Sequence, residues 1–289
     1  MSALWDQVVG GLATGSVYGS LALALVLIHR STGHINFAQG EMAMLCAYVA
    51  WFALQAGWSW PMALLLALGS AFVLGVLVYA AVIHRMRHAK PLSLVIVFIG
   101  LYIVFHSTAG LLFGHDIRTV PSPFPPQWAI VGWVSSHQLG MLLVNAFLVL
   151  ALWVLFRHTR AGLALRAVSQ NPASSAMVGI NATLVLALGW GMAAVVGGVA
   201  GVMVAPVSFL DPAMMGGVLI YALAAALAGG IDSPLGAVMC GLMLGVVENL
   251  AGAYVLGTDL KLVVALMVIV GVLVLRPQGL LGVAKVERV

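Results

Sequence analysis

This chain has the makings of an all-α, polytopic membrane protein of about nine transmembrane helices (eight to ten), some of them short or broken. Three observations support that. Of 289 residues, 63% are hydrophobic and only 7% charged, against about 25% charged in a soluble domain, so the chain could not cover its own surface in water. Its apolar runs are long and continuous, unlike the alternating segments of about ten residues in an outer-membrane barrel. The basic residues behind the formal charge of +4 gather in connectors, where they read as topology and imply no nucleic acid.

The expected spans follow in order. The first runs from about Leu4 to Ile28, with Gly11, Gly15 and Gly19 on one face beside Ser16 and Ser20. Such strips let helix backbones approach closely in lipid. The start, M-S-A-L-W-D-Q, lacks the basic region of a signal peptide, so this span is expected to be retained. His29 and Arg30 end it on the side expected to be cytoplasmic. The second span rises through Asn36, Gln39 and Glu41 toward Gln55, where Trp51, Trp58 and Trp60 collect as interfacial tryptophans do.

The third, about Pro61 to Ile83, ends in H-R-M-R-H-A-K, a strong positive-inside signal. His84 and His88 share a possible helix face within it, but a solvated basic loop explains them better than a metal site. The fourth is about Leu92 to Phe113. A proline-rich connector, His115 to Gln138, carries Trp128 and Trp133 and is assigned to the outer face. The fifth, about Leu139 to Phe156, returns inside.

Arg157 to Asn181 is basic, partly amphipathic and too polar to cross; it reads as two short helices on the inner face, joined at Asn171-Pro172. The sixth span is about Leu184 to Pro206, with Gly197 and Gly201 at packing spacing. Two short apolar runs, about Val218 to Ala228 and Leu235 to Val247, flank Gly229 to Pro234. They are either two short tilted helices or a pair of half-helices that turns within the protein. A last span, about Leu260 to Leu275, leads to a basic tail with Lys285 and Arg288. This arrangement puts the N-terminus outside and the C-terminus inside. Six of the eight tryptophans then fall at the outer face.

The polar residues within the spans are the functional candidates, because burying them in a bilayer is costly. Asn36, Gln39 and Glu41 precede an apolar run, Met42 to Leu54, that is short of the roughly 20 residues a crossing needs. A helix break beside them is therefore expected, with these side chains turned toward protein or a translocation path. Its helix N-terminus would present N–H groups suited to a carboxylate; alternatively, Glu41 itself caps those groups. His106, Glu248 and Asn249 are further candidates for a polar path. Cys46 and Cys240 both lie in apolar runs, so neither a disulfide framework nor a metal site is expected. No phosphate loop, zinc motif or nucleophile elbow is present, so no catalytic residue is assigned.

Four stretches together resemble one family: G-L-A-T-G-S-V-Y-G-S-L-A-L-A-L-V-L-I, G-H-I-N-F-A-Q-G-E, R-A-V-S-Q-N-P-A-S-S-A-M-V-G-I-N and L-R-P-Q-G-L-L-G. They are similar to the LivH-type permease subunit of the branched-chain amino acid ABC importer family. Gln39 stands where that family usually has histidine, and His29-Arg30 replace a more neutral pair. The resemblance implies the ABC importer permease fold over residues 1–289 as a single transmembrane domain. It also implies a second related permease subunit, two cytoplasmic ATPase subunits, an extracytoplasmic solute-binding protein and a place in the bacterial inner membrane. No cofactor is expected on this chain, with ATP on the partner subunits. Residues 157–181 become a segment coupling to an ATPase, through Arg166, Asn171, Gly179, Ile180 and Asn181. Other readings are a permease for urea or amides, a self-sufficient secondary transporter using Glu41 or Glu248 as proton carrier, and a structural subunit of a membrane complex.

Overall fold

The computed structural model describes residues 2–124, 134–257, 260–276 and 278–282. Trp128, Trp133, Lys285 and Arg288 lie outside the described residues. The elements are α1 (Ser2–Thr32), α2 (Gln39–Gln55), α3 (Trp60–Val78), α4 (Pro91–Phe113), α5 (Ser136–His158), α6 (Arg160–Gln170), α7 (Pro172–Met177), α8 (Ala182–Ser208), α9 (Met214–Gly229), α10 (Pro234–Ala251) and α11 (Lys261–Leu275). A π-turn continues α3 over Tyr79–Ile83, and another continues α10 over Gly252–Leu256. Among the described residues six helices are long and apolar enough to cross a membrane; α9 and α11 are shorter apolar helices, and α2 has 17 residues. The fold is all-α. The two apolar runs around Gly229 are two separate helices, and the π-turn gives the second its length.

α1 and α8 are the most buried spans. Lipid tails are as apolar as leucine, so helices associate there by close packing, and small residues permit it. A Cβ on Gly15 would stand 2.7 Å from the Gly241 carbonyl oxygen, and one on Gly245 would stand 2.4 Å from Gly15 Cα. The glycine strip of α1 therefore meets a glycine strip on α10, backbone to backbone. α8 does the same on two other sides. A Cβ on Gly201 would meet the Ala43 carbonyl of α2 at 2.3 Å, and Gly75 of α3 meets the Trp190 carbonyl at 2.6 Å.

One end of the bundle is basic. His29, Arg30, His84, Arg87, Ser169, Gln170 and Asp232 line one cavity of about 960 Å³ there, and His29 Nδ1 lies 3.5 Å from Asp232 Oδ1. The L-R-P-Q-G-L-L-G motif packs onto the α9–α10 turn at this end, where Leu280 N–H donates to the Ala228 carbonyl at 2.7 Å. Gly230, at φ +101°, faces Gly279 at φ +80°, and a Cβ on Gly279 would stand 2.5 Å from Gly230 N. Trp5, Trp51 and Trp60 lie at the opposite end of their helices, with Trp58 in the connector between α2 and α3. There the α4–α5 and α8–α9 connectors are pinned by an antiparallel bridge between Arg118 and Leu210.

α6 and α7 form the two short helices expected between α5 and α8. Side chains cap each start: Thr159 Oγ1 accepts from Gly162 N, and Asn171 Oδ1 accepts from Ser174 N. Asn181 Oδ1 likewise caps α8 by accepting from Leu184 N at 3.1 Å. Such caps satisfy backbone donors that a helix start leaves free. α6 buries Gly162, Leu165 and Val168 and exposes Arg166. Gly179 has φ +83°, and a Cβ there would have open space. Its constraint is backbone conformation and not a crowded turn.

Candidate functional site: a helix break lined by buried polar side chains

Gly33, at φ +76°, ends α1. The chain then climbs as a connector to Gln39, where α2 begins. Gln39 Nε2 donates to the Ala193 carbonyl at 3.0 Å. Ala193 lies eleven residues beyond the start of α8 at Ala182, or about 17 Å along that helix. α2 therefore starts well inside a hydrocarbon layer about 30 Å thick.

The break is satisfied from within. Asn36 Oδ1 accepts from Ala38 N at 3.0 Å, and Asn36 Nδ2 donates to Gln39 Oε1 at 3.1 Å. Asn36 and Gln39 are fully buried. A Cβ on Gly197 would stand 2.3 Å from Gln39 Nε2, so glycine at 197 makes the room in which Gln39 reaches α8. Glu41 is 1% exposed. The side chain that satisfies a backbone donor at the start of α2 is Asn36, on Ala38 N, whereas Glu41 Oε2 makes no hydrogen bond among the described residues. Its carboxylate turns instead to α4, with Oε2 at 3.4 Å from His106 Nδ1. The His106 side chain is 32% exposed, so the pair reaches the surface of the chain.

Aromatic layers lie on either side of this pair along the α2–α4 seam. Tyr48 and Phe113, each seven residues beyond Glu41 and His106, stack at 4.5 Å. Beyond them the Arg118 guanidinium lies 4.3 Å over the Trp51 ring and donates to the Phe113 carbonyl. Toward the basic end Phe98 stacks on Trp190 of α8 at 6.1 Å, and Tyr79 tilts against Trp190 at 6.2 Å. Tyr79 also lines the basic cavity. Glu41 Oε2, His106 Nδ1, Tyr48 Oη, Arg118 Nε and Trp190 Nε1 are all buried without a hydrogen-bond partner among the described residues. Buried polar atoms are nearly always satisfied, so these need a reason; Glu41 Oε2 and His106 Nδ1 face each other as an ion pair, and Glu248 Oε2, away from the seam, likewise has no hydrogen-bond partner among the described residues.

Glu248 and Asn249 belong to a different cluster. Glu248, 6% exposed, lies near Tyr18 and Tyr221, whose rings stack at 4.7 Å. Asn249 Nδ2 donates to the Gln7 carbonyl at 3.0 Å, and Lys261 Nζ donates to Asn249 Oδ1 at 3.1 Å. This network joins α1, α10 and α11. The six polar residues singled out from sequence thus divide into two groups. Tyr48, Arg118 and Trp190 were missed. The seven-residue step from Glu41 to Tyr48 was a usable signal for the first; the other two arrive from distant parts of the chain.

Comparison with known proteins now bears on the identity. The family described as "Branched-chain amino acid transport system / permease component" matches residues 7–273. The chain belongs to this family. The high-affinity branched-chain amino acid transport system permease protein LivH of Escherichia coli K12 is 32% identical over 310 residues, covering 98% of this chain and 97% of LivH. LivH of Salmonella typhimurium is 33% identical over 308 residues with the same coverage. BraD of Pseudomonas aeruginosa is 30% identical over 300 residues, covering 98% of this chain and 97% of BraD. Among solved structures, PsaBC from Streptococcus pneumoniae in complex with Fab has a similar fold, with TM-score 0.50 and 14% identity over 93% of this chain and 91% of that one. This permease is a transport component and not an enzyme, in keeping with its apolar helices.

Proposed function

We propose that this permease works in an ATP-driven importer of branched-chain or related amino acids, and that the solute passes the helix break at Asn36, Gln39, Glu41 and His106. The observation that carries the route is the row of unpartnered buried polar atoms along the α2–α4 seam. An amino acid has a carboxylate and an ammonium to satisfy as it crosses, and such a row supplies acceptors and donors in turn. The relatives' names support the substrate class. Partner subunits hold the ATP.

A second related permease, two ATPases and an extracytoplasmic binding protein complete the assembly. His106 supports a second permease chain: a polar side chain one-third exposed in the middle of a span is costly against lipid. The basic end lies in the cytoplasm with the C-terminus, and the N-terminus lies outside. Residues 1–289 act as one transmembrane domain. α6, α7 and the Gly179–Asn181 turn dock on an ATPase, with Asn171, Gly179, Ile180 and Asn181 fixing their shape.

The test is reconstitution in liposomes. Solute-loaded binding protein should stimulate ATP hydrolysis and uptake by the full assembly, and this chain alone should transport nothing. Uptake by the chain alone would make it a secondary transporter. Cysteine placed at Ser122 should label from outside and cysteine at Ser169 from inside; the reverse pattern would invert the topology.

A further inference from the structure

α5 and α10 both pack on α1 but hardly touch each other, which leaves a groove of about 690 Å³ between them. Its floor is a stripe of α1: Ser16, Ser20, Leu23, Leu27 and Arg30. From Ser16 to Arg30 the stripe is about 21 Å long, more than one leaflet of a hydrocarbon layer about 30 Å thick. The polar part of the floor is already satisfied. Asn145 Nδ2 donates to Ser16 Oγ at 3.0 Å, Ser20 Oγ donates to Asn145 Oδ1, and Ser16 Oγ donates to the Ala13 carbonyl at 2.7 Å. Nothing in the floor asks for a polar occupant, and the walls are Leu, Val, Trp and Phe side chains of α5 and α10. This separates the groove from the α2–α4 seam, where polar atoms are left unpartnered.

The mouth is different. Arg30 and Arg166 line it from α1 and α6, with Ser31 and Ser169 beside them, and both arginines are exposed. Asp232, the one carboxylate in the lining, lies against His29. The ion pairs among the described residues are His29–Asp232 and His106–Glu41, so neither arginine has a carboxylate partner there. The groove is therefore hydrocarbon along its length, with two exposed arginines and one carboxylate, Asp232, at its mouth.

We propose that this groove binds an anionic phospholipid of the leaflet at the basic end, with the phosphate on Arg30 and Arg166 and one acyl chain lying along α1 between α5 and α10. Basic pockets between helices select anionic headgroups in this way, because each arginine near the surface adds attraction for them. Neutral lipid would gain the acyl contacts and lose the charge.

Trp153 lines the groove and provides the probe. The chain, assembled with its transporter partners, is placed in bilayers containing phosphatidylglycerol or phosphatidylcholine brominated on the acyl chains. The quenching that disappears in Trp153→Phe is then measured. Brominated phosphatidylglycerol should reach half-maximal quenching at about a tenfold lower mole fraction than brominated phosphatidylcholine, and Arg30→Gln with Arg166→Gln should remove most of that difference. Equal quenching by both lipids in the unmodified assembly would reduce the groove to ordinary lipid contact. Quenching by neither would mean that another chain fills it. Both results overturn the proposal without needing the variants to fold, and both are independent of whether the α2–α4 seam carries solute.

Discussion

Removing either partner of the Glu41–His106 pair should have unequal effects, because the two side chains are unequally buried. Glu41 is 1% exposed and His106 32%. His106→Ala leaves a buried carboxylate with no partner, which typically costs about 3–5 kcal/mol. Glu41→Ala leaves an imidazole that still reaches the chain surface. An unpaired polar group costs about 1–3 kcal/mol when fully buried, and partial exposure puts this one at the low end. Taken at the lower end of the first range, the gap is about 2 kcal/mol. At roughly 2–4 °C per kcal/mol for a chain of this size, His106→Ala should lower the apparent melting point of the purified assembly by about 4–8 °C more than Glu41→Ala. The double variant should lie near Glu41→Ala, so the non-additivity should approach the cost of His106→Ala itself, about 3 kcal/mol, the upper end for contacting groups. All variants are compared at one heating rate, because unfolding of membrane assemblies is often irreversible. Glu41→Gln, which keeps the shape, should assemble and lose uptake. Equal and additive effects of the two alanine variants would refute the pairing.

Gly241→Leu should prevent stable assembly, since even a Cβ at 241 would lie 2.4 Å from the backbone of Gly19, whereas Gly100→Ala, with open space around it, should leave the melting point unchanged or raised by up to about 1 kcal/mol equivalent. Gly179→Ala should strain a left-handed residue by about 1–2 kcal/mol; ATPase co-purification should weaken while the membrane part keeps its melting point, and Gly179→Asn should be milder. Arg118→Leu removes the cation over Trp51 and the bond to the Phe113 carbonyl, so labelling of a cysteine at Tyr48 from the tryptophan end should become faster; unchanged labelling would mean that Arg118 does not close the seam.

The spans were legible because hydrophobicity and charge act locally. The run from Leu92 to Phe113 is apolar except for Ser93 and the stretch His106 to Thr108, and its helix starts at Pro91, where proline suits a first turn. The break at Asn36 was legible for a similar reason: Met42 to Leu54 is too short to cross, so the polar residues before it had to enter the membrane. What each polar residue meets was not legible. Glu41 finds His106 sixty-five positions on, and Gln39 finds the Ala193 carbonyl only because position 197 has no side chain. Glu248 resembled Glu41 in sequence, yet it lies near two tyrosines from different helices, Tyr18 and Tyr221, and not near His106. Such pairings depend on which helices are neighbours, and periodicity within one span carries no record of that.

The same contacts indicate which walls of the seam can part. α2 is held to α8 where Gly201 lets the Ala43 backbone approach, and where Gln39 bonds the Ala193 carbonyl. Moving α2 along α8 by a residue would drive Ala43 into the α8 backbone, and packed interfaces of this kind do not deform continuously. α4 meets α2 and α8 through side chains instead: the Glu41–His106 pair and the Tyr48–Phe113 and Phe98–Trp190 stacks. A stacked aromatic pair is worth about 0.5–1.5 kcal/mol beyond its buried area, so each layer can open at modest cost without disturbing a backbone contact. α1, α2, α8 and α10 are thus joined backbone to backbone, and α4 is the wall of the seam held by side chains alone. Closure at the tryptophan end then rests on the connector between α4 and α5, which carries Arg118 to Trp51 and ties itself to Leu210. The labelling rate in Arg118→Leu therefore reads the freedom of α4 directly.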